Sequence, residues 1–489
     1  MRETDDADAE RTGRLRGSLE GSKKERSDRD RAGWGHVPFI MRCGTAGRLE
    51  SGVLMVNVSV ALRALKSRNY RLFFSGQSIS LIGTWMTRVA TSWLIYRLTH
   101  SAFLLGVASF AGQVPLFFLA PLAGVWVDRW NRHRTLVATQ VLSMLQSFAL
   151  AVLAFTGVIQ VWHVIALMLF QGVINAFDMP ARQAFVIQMV DDRADLPNAI
   201  ALNSSMVNGA RLIGPAIAGV IIAAAGEGYC FLIDGISYVA VIASLLAMHV
   251  PAPVARQIQT RVLEELADGW RYVSQSPPIR SILLLLATIS LLGMPYTVLM
   301  PIFAGRVLGG GPHTLGILMA CIGVGALVGA VALAGRRTVL GLGKVIPISA
   351  GILGAALVAF GFSRMLWLSA ALLLAAGFGM MRNMAACNTI LQTILDEEKR
   401  GRVMAFYTMA LAGMYPFGSL IAGTAAARMG APLTVSLSGV LCLTAAGLFA
   451  RELPRFRKLV RPIYARLGIL PEVATGLQAA TAMSSTSEG

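Results

Sequence analysis

From Arg71 to Ala450 the chain is a succession of hydrophobic stretches, each of bilayer-spanning length and separated by short polar turns. No other feature restricts the fold as strongly. In hydrocarbon every backbone N–H and C=O must find a partner within the chain, and a single stretch achieves this only as a helix. The stretches run over 71–98, 102–127, 135–157, 162–189, 198–225, 229–250, 279–307, 314–335, 343–362, 366–394, 402–427 and 432–450. The expected fold is therefore all-α and integral to the membrane, with twelve transmembrane helices. The longest connection, 251–278, divides them into two six-helix bundles, 61–250 and 279–451.

Composition and charge agree. Of 489 residues 55% are hydrophobic and 14% charged, against about a quarter charged in soluble chains. The net charge of +17 is a matter of topology rather than of nucleic acid, since no polar segment interleaves basic and stacking aromatic residues. With the N-terminus placed in the cytoplasm, that side receives Arg63, Lys66, Arg68, Arg71, Arg129, Arg132, Arg134, Arg182, Arg193, the 251–280 linker, Arg336, Arg337, Lys344, Lys399, Arg400, Arg402 and the basic C-terminal segment. The opposite loops hold Arg97, Arg306, Arg364 and Arg428. The asymmetry predicts N-in, C-in. Residues 1–60 mix both signs and read as a disordered polar tail, not a signal peptide, and Met55 is an alternative start. Residues 452–489 form a basic cytoplasmic tail, in which 451–468 could lie on anionic lipid.

The two halves echo one another. QMVDD (188–192) and QTILD (392–396) close equivalent helices, IAG recurs at 217–219 and 421–423, and the same offset of 204 pairs Gly209 with Gly413 and Gly214 with Gly418. Internal duplication of this kind is a plan of secondary transporters.

Between the second and third stretches lies GVWVDRWNRHR, residues 124–134. At this place G-x-x-x-D-R-x-x-R, with Gly124, Asp128, Arg129 and Arg132, resembles the loop signature of the major facilitator superfamily. Further stretches narrow the likeness: SRNYRLFFSGQSISLIGTWMTRVATSWLIYRLTHSAFLLG, NAFDMPARQAFVIQMV and LPNAIALNSSMVNGARLIGPAIAG. Together they resemble its enterobactin-exporter-like branch, the transmembrane secretion effectors, over roughly 65–450. The resemblance implies that this loop locks one of the transport conformations, Asp128 meeting the start of helix 11 near Arg402 and Arg132 meeting Asp178. Topology and capping alone would also explain these residues. It implies export as well, because exporters carry a glycine–proline pattern in helix 5, kept here as Gly214, Pro215 and Gly219 with alanine at 210 and 218.

Ionisable groups within spans are costly and usually functional. Asp178 in helix 4 and Arg382 in helix 10 stand at repeat-equivalent depths, so they could meet as a cytoplasmic gate, the alternative being the Asp178–Arg132 latch. Arg88 in helix 1 and Arg211 in helix 5 are candidates for an anionic or catecholate-like substrate, or for bonds to backbone carbonyls. Gln77, Trp85, Gln171, Asn175, Tyr296 and Asn388 are candidate cavity walls with them. Drug-exporting relatives place an arginine three residues before a Gln-Gly pair in helix 4, and here Met168 stands before Gln171–Gly172. The remaining carboxylates within spans that could carry a proton are Asp178 and Asp234.

The scattered cysteines and histidines lack metal-ligand spacing, and neither a phosphate-cradling G-x-x-x-x-G-K-[ST] nor a nucleophile elbow occurs. No cofactor, no metal and no enzyme activity are expected. The expected protein is a monomeric, proton-coupled exporter of a small organic molecule (siderophore, drug or metabolite) in the inner membrane. The alternatives are an importer on the same fold and a non-transporting membrane sensor or scaffold.

Overall fold

The computed structural model describes residues 62–249, 262–336 and 338–469, which contain no strand. The tail 1–60, Arg337 and the end of the basic C-terminal segment lie outside the described residues. The first half comprises α1 (Arg68–Thr99), α2 (Ala102–Arg129), α3 (Arg132–Phe155), α4 (Val161–Met189), α5 (Leu196–Ala225) and α6 (Glu227–Leu246). A linker helix, Val262–Gln275, follows. The second half comprises α7 (Pro277–Val307), α8 (Pro312–Ala334), α9 (Leu342–Phe362), α10 (Leu366–Ile394), α11 (Lys399–Met429) and α12 (Ala431–Arg466). The basic segment therefore begins inside α12, which runs past the expected boundary at 451 to Arg466.

Eleven of these helices, α2 to α12, are long and apolar enough to cross a membrane. α1 is 32 residues long, about 48 Å at 1.5 Å per residue, but it is too polar to qualify. Its polar face is turned inward: Gln77 and Ser80 are buried, and the Thr84 hydroxyl donates to the Ser80 carbonyl at 3.0 Å. α1 packs along α5 and α6.

Local chemistry sets the turns. The Ser101 hydroxyl accepts from the Leu104 amide at 3.3 Å and caps α2, and the Asn131 side chain accepts from the Arg134 amide at 3.2 Å and caps α3. α5 turns into α6 at Gly226 with φ +93°, and α11 turns into α12 at Gly430 with φ +86°. Both conformations suit glycine, and the two residues are again 204 apart.

Packing repeats with the sequence. In the first half α2 lies on α4, α3 on α6 and α1 on α5, and in the second α8 lies on α10, α9 on α12 and α7 on α11. Between the halves α2 packs on α11 and α5 on α8. Glycines make both crossings close. A methyl built on Gly423 of α11 would lie 2.8 Å from the Gly106 Cα of α2, and one built on Gly316 of α8 would lie 2.9 Å from the Gly219 Cα of α5. Gly219 and Gly423 are the glycines of the repeated IAG.

These contacts have a direction. Gly106, Gly219, Gly316 and Gly423 lie toward the end of the bundle that carries Arg97, where Gly305 of α7 also rests on the Tyr96 ring. Nearer the middle, the Ser109 hydroxyl donates to Ser419 Oγ at 3.1 Å, Phe117 and Phe417 stack edge to face, and Gly323 rests on the backbone of Arg211 and Leu212. Toward the opposite end, which carries Arg63, an added methyl meets nothing within 4 Å on Gly209 of α5 or on Gly401 near the start of α11.

Candidate substrate site

Two helix distortions shape the middle of the bundle. α7 widens by one π turn at Ile289–Gly293 before Pro295, and α11 does the same at Met409–Gly413 before Pro416. Such turns often mark functional positions. Proline has no N–H for the carbonyl four residues back, so Pro295 releases the Leu291 carbonyl, against which Gly418 of α11 packs. The Ser290 hydroxyl donates to the Leu411 carbonyl and ties the two widened turns together. In α5, Pro215 likewise releases the Arg211 carbonyl, and Gly323 of α8 approaches it. The adjacent Gly214 seats α1, since a methyl there would lie 2.5 Å from Trp85 Cβ and 3.0 Å from the Ile82 carbonyl oxygen. The three helix-5 residues thus have separate contacts: Gly214 faces α1, while Pro215 and Gly219 face α8.

Trp85, held against Gly214, carries two arginines. The Arg88 guanidinium carbon lies 4.8 Å from the Trp85 ring centroid, and that of Arg211 lies 5.2 Å from the same ring. Arg88 keeps an exposed surface although it lies within the spanning part of α1, as expected of a side chain that faces an internal cavity. Tyr296 of α7 is nearly fully buried, and its hydroxyl has no hydrogen-bond partner, as is also true of Arg211 Nε. Tyr296 lies within electrostatic range of Arg211, and Tyr415 of α11 within that of Arg88. The Tyr415 and Thr297 hydroxyls are hydrogen-bonded at 3.0 Å. The structure therefore brings together Trp85, Arg88, Arg211 and Tyr296 from the expected cavity wall.

Tyr415 was not among the expected residues, although the offset of 204 points to it as the equivalent of Arg211. Since Ile82 and Leu291 offer their carbonyls to the equivalent glycines 214 and 418, Arg88 corresponds to Thr297. The first half thus contributes two cations where the second contributes two hydroxyls. Both guanidinium carbons lie within about 10 Å of each other, a repulsion of about 2 kcal/mol at an effective dielectric near 20.

The other expected residues lie elsewhere. The Gln171 amide donates to Ser143 of α3 at 3.2 Å and to Asn175 at 3.3 Å. Asn388 accepts from Gln392 at 3.1 Å, and Gln77 is buried within α1. Asp178 is turned toward α3, accepting from Thr139 Oγ1 at 2.9 Å and Gln140 Nε2 at 2.7 Å. It also forms an ion pair with Arg182 one turn on. It is not joined to Arg382, whose guanidinium stacks over Phe378 at 5.4 Å and whose Nε has no partner. Asp234 of α6 is buried, its Oδ2 accepting from Thr87 and Ser147 at 2.9 Å each, while its Oδ1 has no donor.

Arg132 opens α3. Gly124, Asp128 and Arg129 fall in the last turns of α2, where their side chains lie outside the described residues. At the start of α11, Arg402 Nη1 lies 3.6 Å from an Asp268 carboxylate oxygen of the linker helix.

Two pseudo-equivalent half-bundles, closed against each other at one end around a mid-depth polar cluster, define a multi-pass membrane transporter of the major facilitator type. Residues 59–462 match the family described as Transmembrane secretion effector, and the chain belongs to that family. It is 26% identical over 382 residues to the Staphyloferrin A transporter of Staphylococcus aureus (strain NCTC 8325 / PS 47), covering 76% of this chain and 94% of the relative. It is 26% identical over 387 residues to the Multidrug efflux pump Tap of Mycolicibacterium fortuitum, covering 77% and 93%. The fold is similar to that of a bacterial homolog of the human lysosomal transporter Spinster, solved inward-facing and unoccupied, with TM-score 0.63, 13% identity and coverage of 83% and 99%. Family and relatives are transporters rather than enzymes.

Proposed function

We propose that the chain exports a small organic molecule by alternating access, with α1 as the twelfth span, both termini in the cytoplasm and the proton gradient as the energy source. The observation that supports this most is the one-sided seam. The halves meet along the Arg97 end, whereas toward the Arg63 end an added methyl on Gly209 or Gly401 meets nothing within 4 Å. The Trp85–Arg88–Arg211 cluster at mid-depth would then be open to the cytoplasm. Rocking of the halves would reverse the exposure. The name of the Tap relative, an efflux pump, and the glycine–proline pair of α5 favour the outward direction.

Closure of the Arg63 end would bring Asp128 to the start of α11 and draw Arg402 from Asp268. A gate contact of Asp178 with Arg382, or with Arg132, would form in the same movement. For the proton, Asp178 is already neutralised by Arg182, which leaves Asp234 as the spanning carboxyl without a cationic partner. The test is efflux from cells preloaded with a panel of dyes, drugs and catecholates, with and without a protonophore. Faster exit with the transporter, stalled by the protonophore, is the expected result. Accumulation inside the cells instead would establish an importer.

A further inference from the structure

The charges of the spans do not balance at the cavity. Among the described residues, each carboxylate of α1 to α6 that lies within a span is already engaged. Asp178 is paired with Arg182, Glu227 with Arg97 at 2.9 Å, and Asp234 accepts the hydroxyls of Thr87 and Ser147. Among the described residues, neither Arg88 nor Arg211 has an ion pair, and Arg382 in the second half has none either. Two guanidinium groups facing one ring are therefore held together without an anion.

Stacking on Trp85 does not consume what a guanidinium offers. The ring takes one face of the group, whereas the N–H donors lie in the guanidinium plane and stay available for a carboxylate or phosphate fork. Trp85 is thus a positioning residue for Arg88 and Arg211. On α7 and α11 the Thr297–Tyr415 hydroxyl pair supplies a neutral donor, while the unpartnered Tyr296 hydroxyl is buried. A cationic ligand would add to the existing repulsion, while a ligand bearing two separated negative charges would relieve it.

Resting on the transporter reading above, we infer that this site takes a small molecule with at least two anionic oxygen groups, bridging Arg88 and Arg211. Its preference is opposite to that of a carrier for cationic drugs.

The test uses two dyes built on one xanthene scaffold, carboxyfluorescein (polyanionic) and rhodamine 6G (cationic). Binding to the purified full chain is followed by fluorescence polarisation. Carboxyfluorescein should bind and be displaced by benzene-1,3,5-tricarboxylate but not by its trimethyl ester. Arg88→Gln and Arg211→Gln should each weaken binding about tenfold or more, with Arg→Lys at either position losing less because the charge stays. The double variant Arg88→Glu/Arg211→Glu should turn the preference toward rhodamine 6G.

Equal or tighter binding of rhodamine 6G by the unaltered protein, displacement by the ester, or failure of both dyes to bind would overturn the inference. Inverted vesicles separate it from the transporter reading. Uptake of rhodamine 6G alone would leave a transporter with no anion site. Binding of carboxyfluorescein without any uptake would leave the anion site and remove export as its use.

Discussion

Gly423 of α11 and Gly106 of α2 meet backbone to backbone, so that a methyl on either would lie within 2.9 Å of the other's Cα. Gly219 and Gly316 repeat the relationship between α5 and α8. The two crossings close the Arg97 end, and neither has a flexible side chain that could yield to an added Cβ. Gly423→Ala should therefore destabilise the closed end by about 1–3 kcal/mol through overpacking. Spin labels at the exposed Leu98 and Met429 should report a longer-distance population that the unaltered protein lacks. An unchanged distance distribution would mean that the seam does not depend on these glycines.

Gly214→Ala tests whether α5 positions Trp85. The added methyl would meet Trp85 Cβ at 2.5 Å, and the ring that carries both arginines would have to shift. Carboxyfluorescein binding should fall about tenfold, the effect of displacing one charged hydrogen-bonding group. Gly351→Ala in α9 is the control: nothing lies within 4 Å of its added methyl, and alanine in a helix interior is favoured over glycine by about 0.5–1 kcal/mol. Equal loss of binding in both variants would point to a general effect of substitution.

These relationships were legible in the sequence to different depths. Eleven of the stretches, the duplication and the glycines of IAG could be read directly, because hydropathy and spacing are one-dimensional and the fold repeats them. Tyr415 was within reach of the same offset, as the equivalent of Arg211. The turn of Asp178 toward Thr139 and Gln140 of α3 was not. Sequence position gives the depth of a residue along its helix, and by depth Asp178 and Arg382 match. Which way the side chain points depends on helix rotation, and Thr139 and Gln140 draw the carboxylate toward α3. The end of α12 is a second case: the hydrophobic stretch stops at 450, yet the helix continues through Pro454 and Pro462 to Arg466.

The ion pair of Asp178 yields an ordering of stabilities. Arg182→Gln leaves a largely buried carboxylate without its cation and should cost about 3 kcal/mol. Asp178→Asn keeps an acceptor for Thr139 and Gln140 and should cost about 1 kcal/mol. Arg382→Gln removes a charge that has no acid partner, and the midpoint of thermal unfolding should hardly move. If Arg382→Gln proves as damaging as Arg182→Gln, an Asp178–Arg382 contact across the halves must dominate in solution.

Asp234 provides the sharpest test of coupling, because its surroundings separate structure from function. The carboxyl group is buried between α1, α3 and α6. It faces the Thr87 and Ser147 hydroxyls, with Tyr238 and Cys230 on its own helix and no cation in contact. An asparagine has nearly the same shape, and its carbonyl oxygen can accept from both hydroxyls, so Asp234→Asn should change stability by no more than about 1 kcal/mol. The amide cannot exchange a proton. Downhill movement of substrate should therefore persist in the variant, while accumulation against a gradient should fall to the level of vesicles without transporter and lose its response to an imposed pH difference. Thr87, a hydroxyl donor to Asp234, immediately precedes Arg88 in α1 and so links this carboxyl to the proposed substrate site. Thr87→Val should accordingly weaken coupling without abolishing it. Uphill transport by Asp234→Asn at the wild-type level would place the proton on another group.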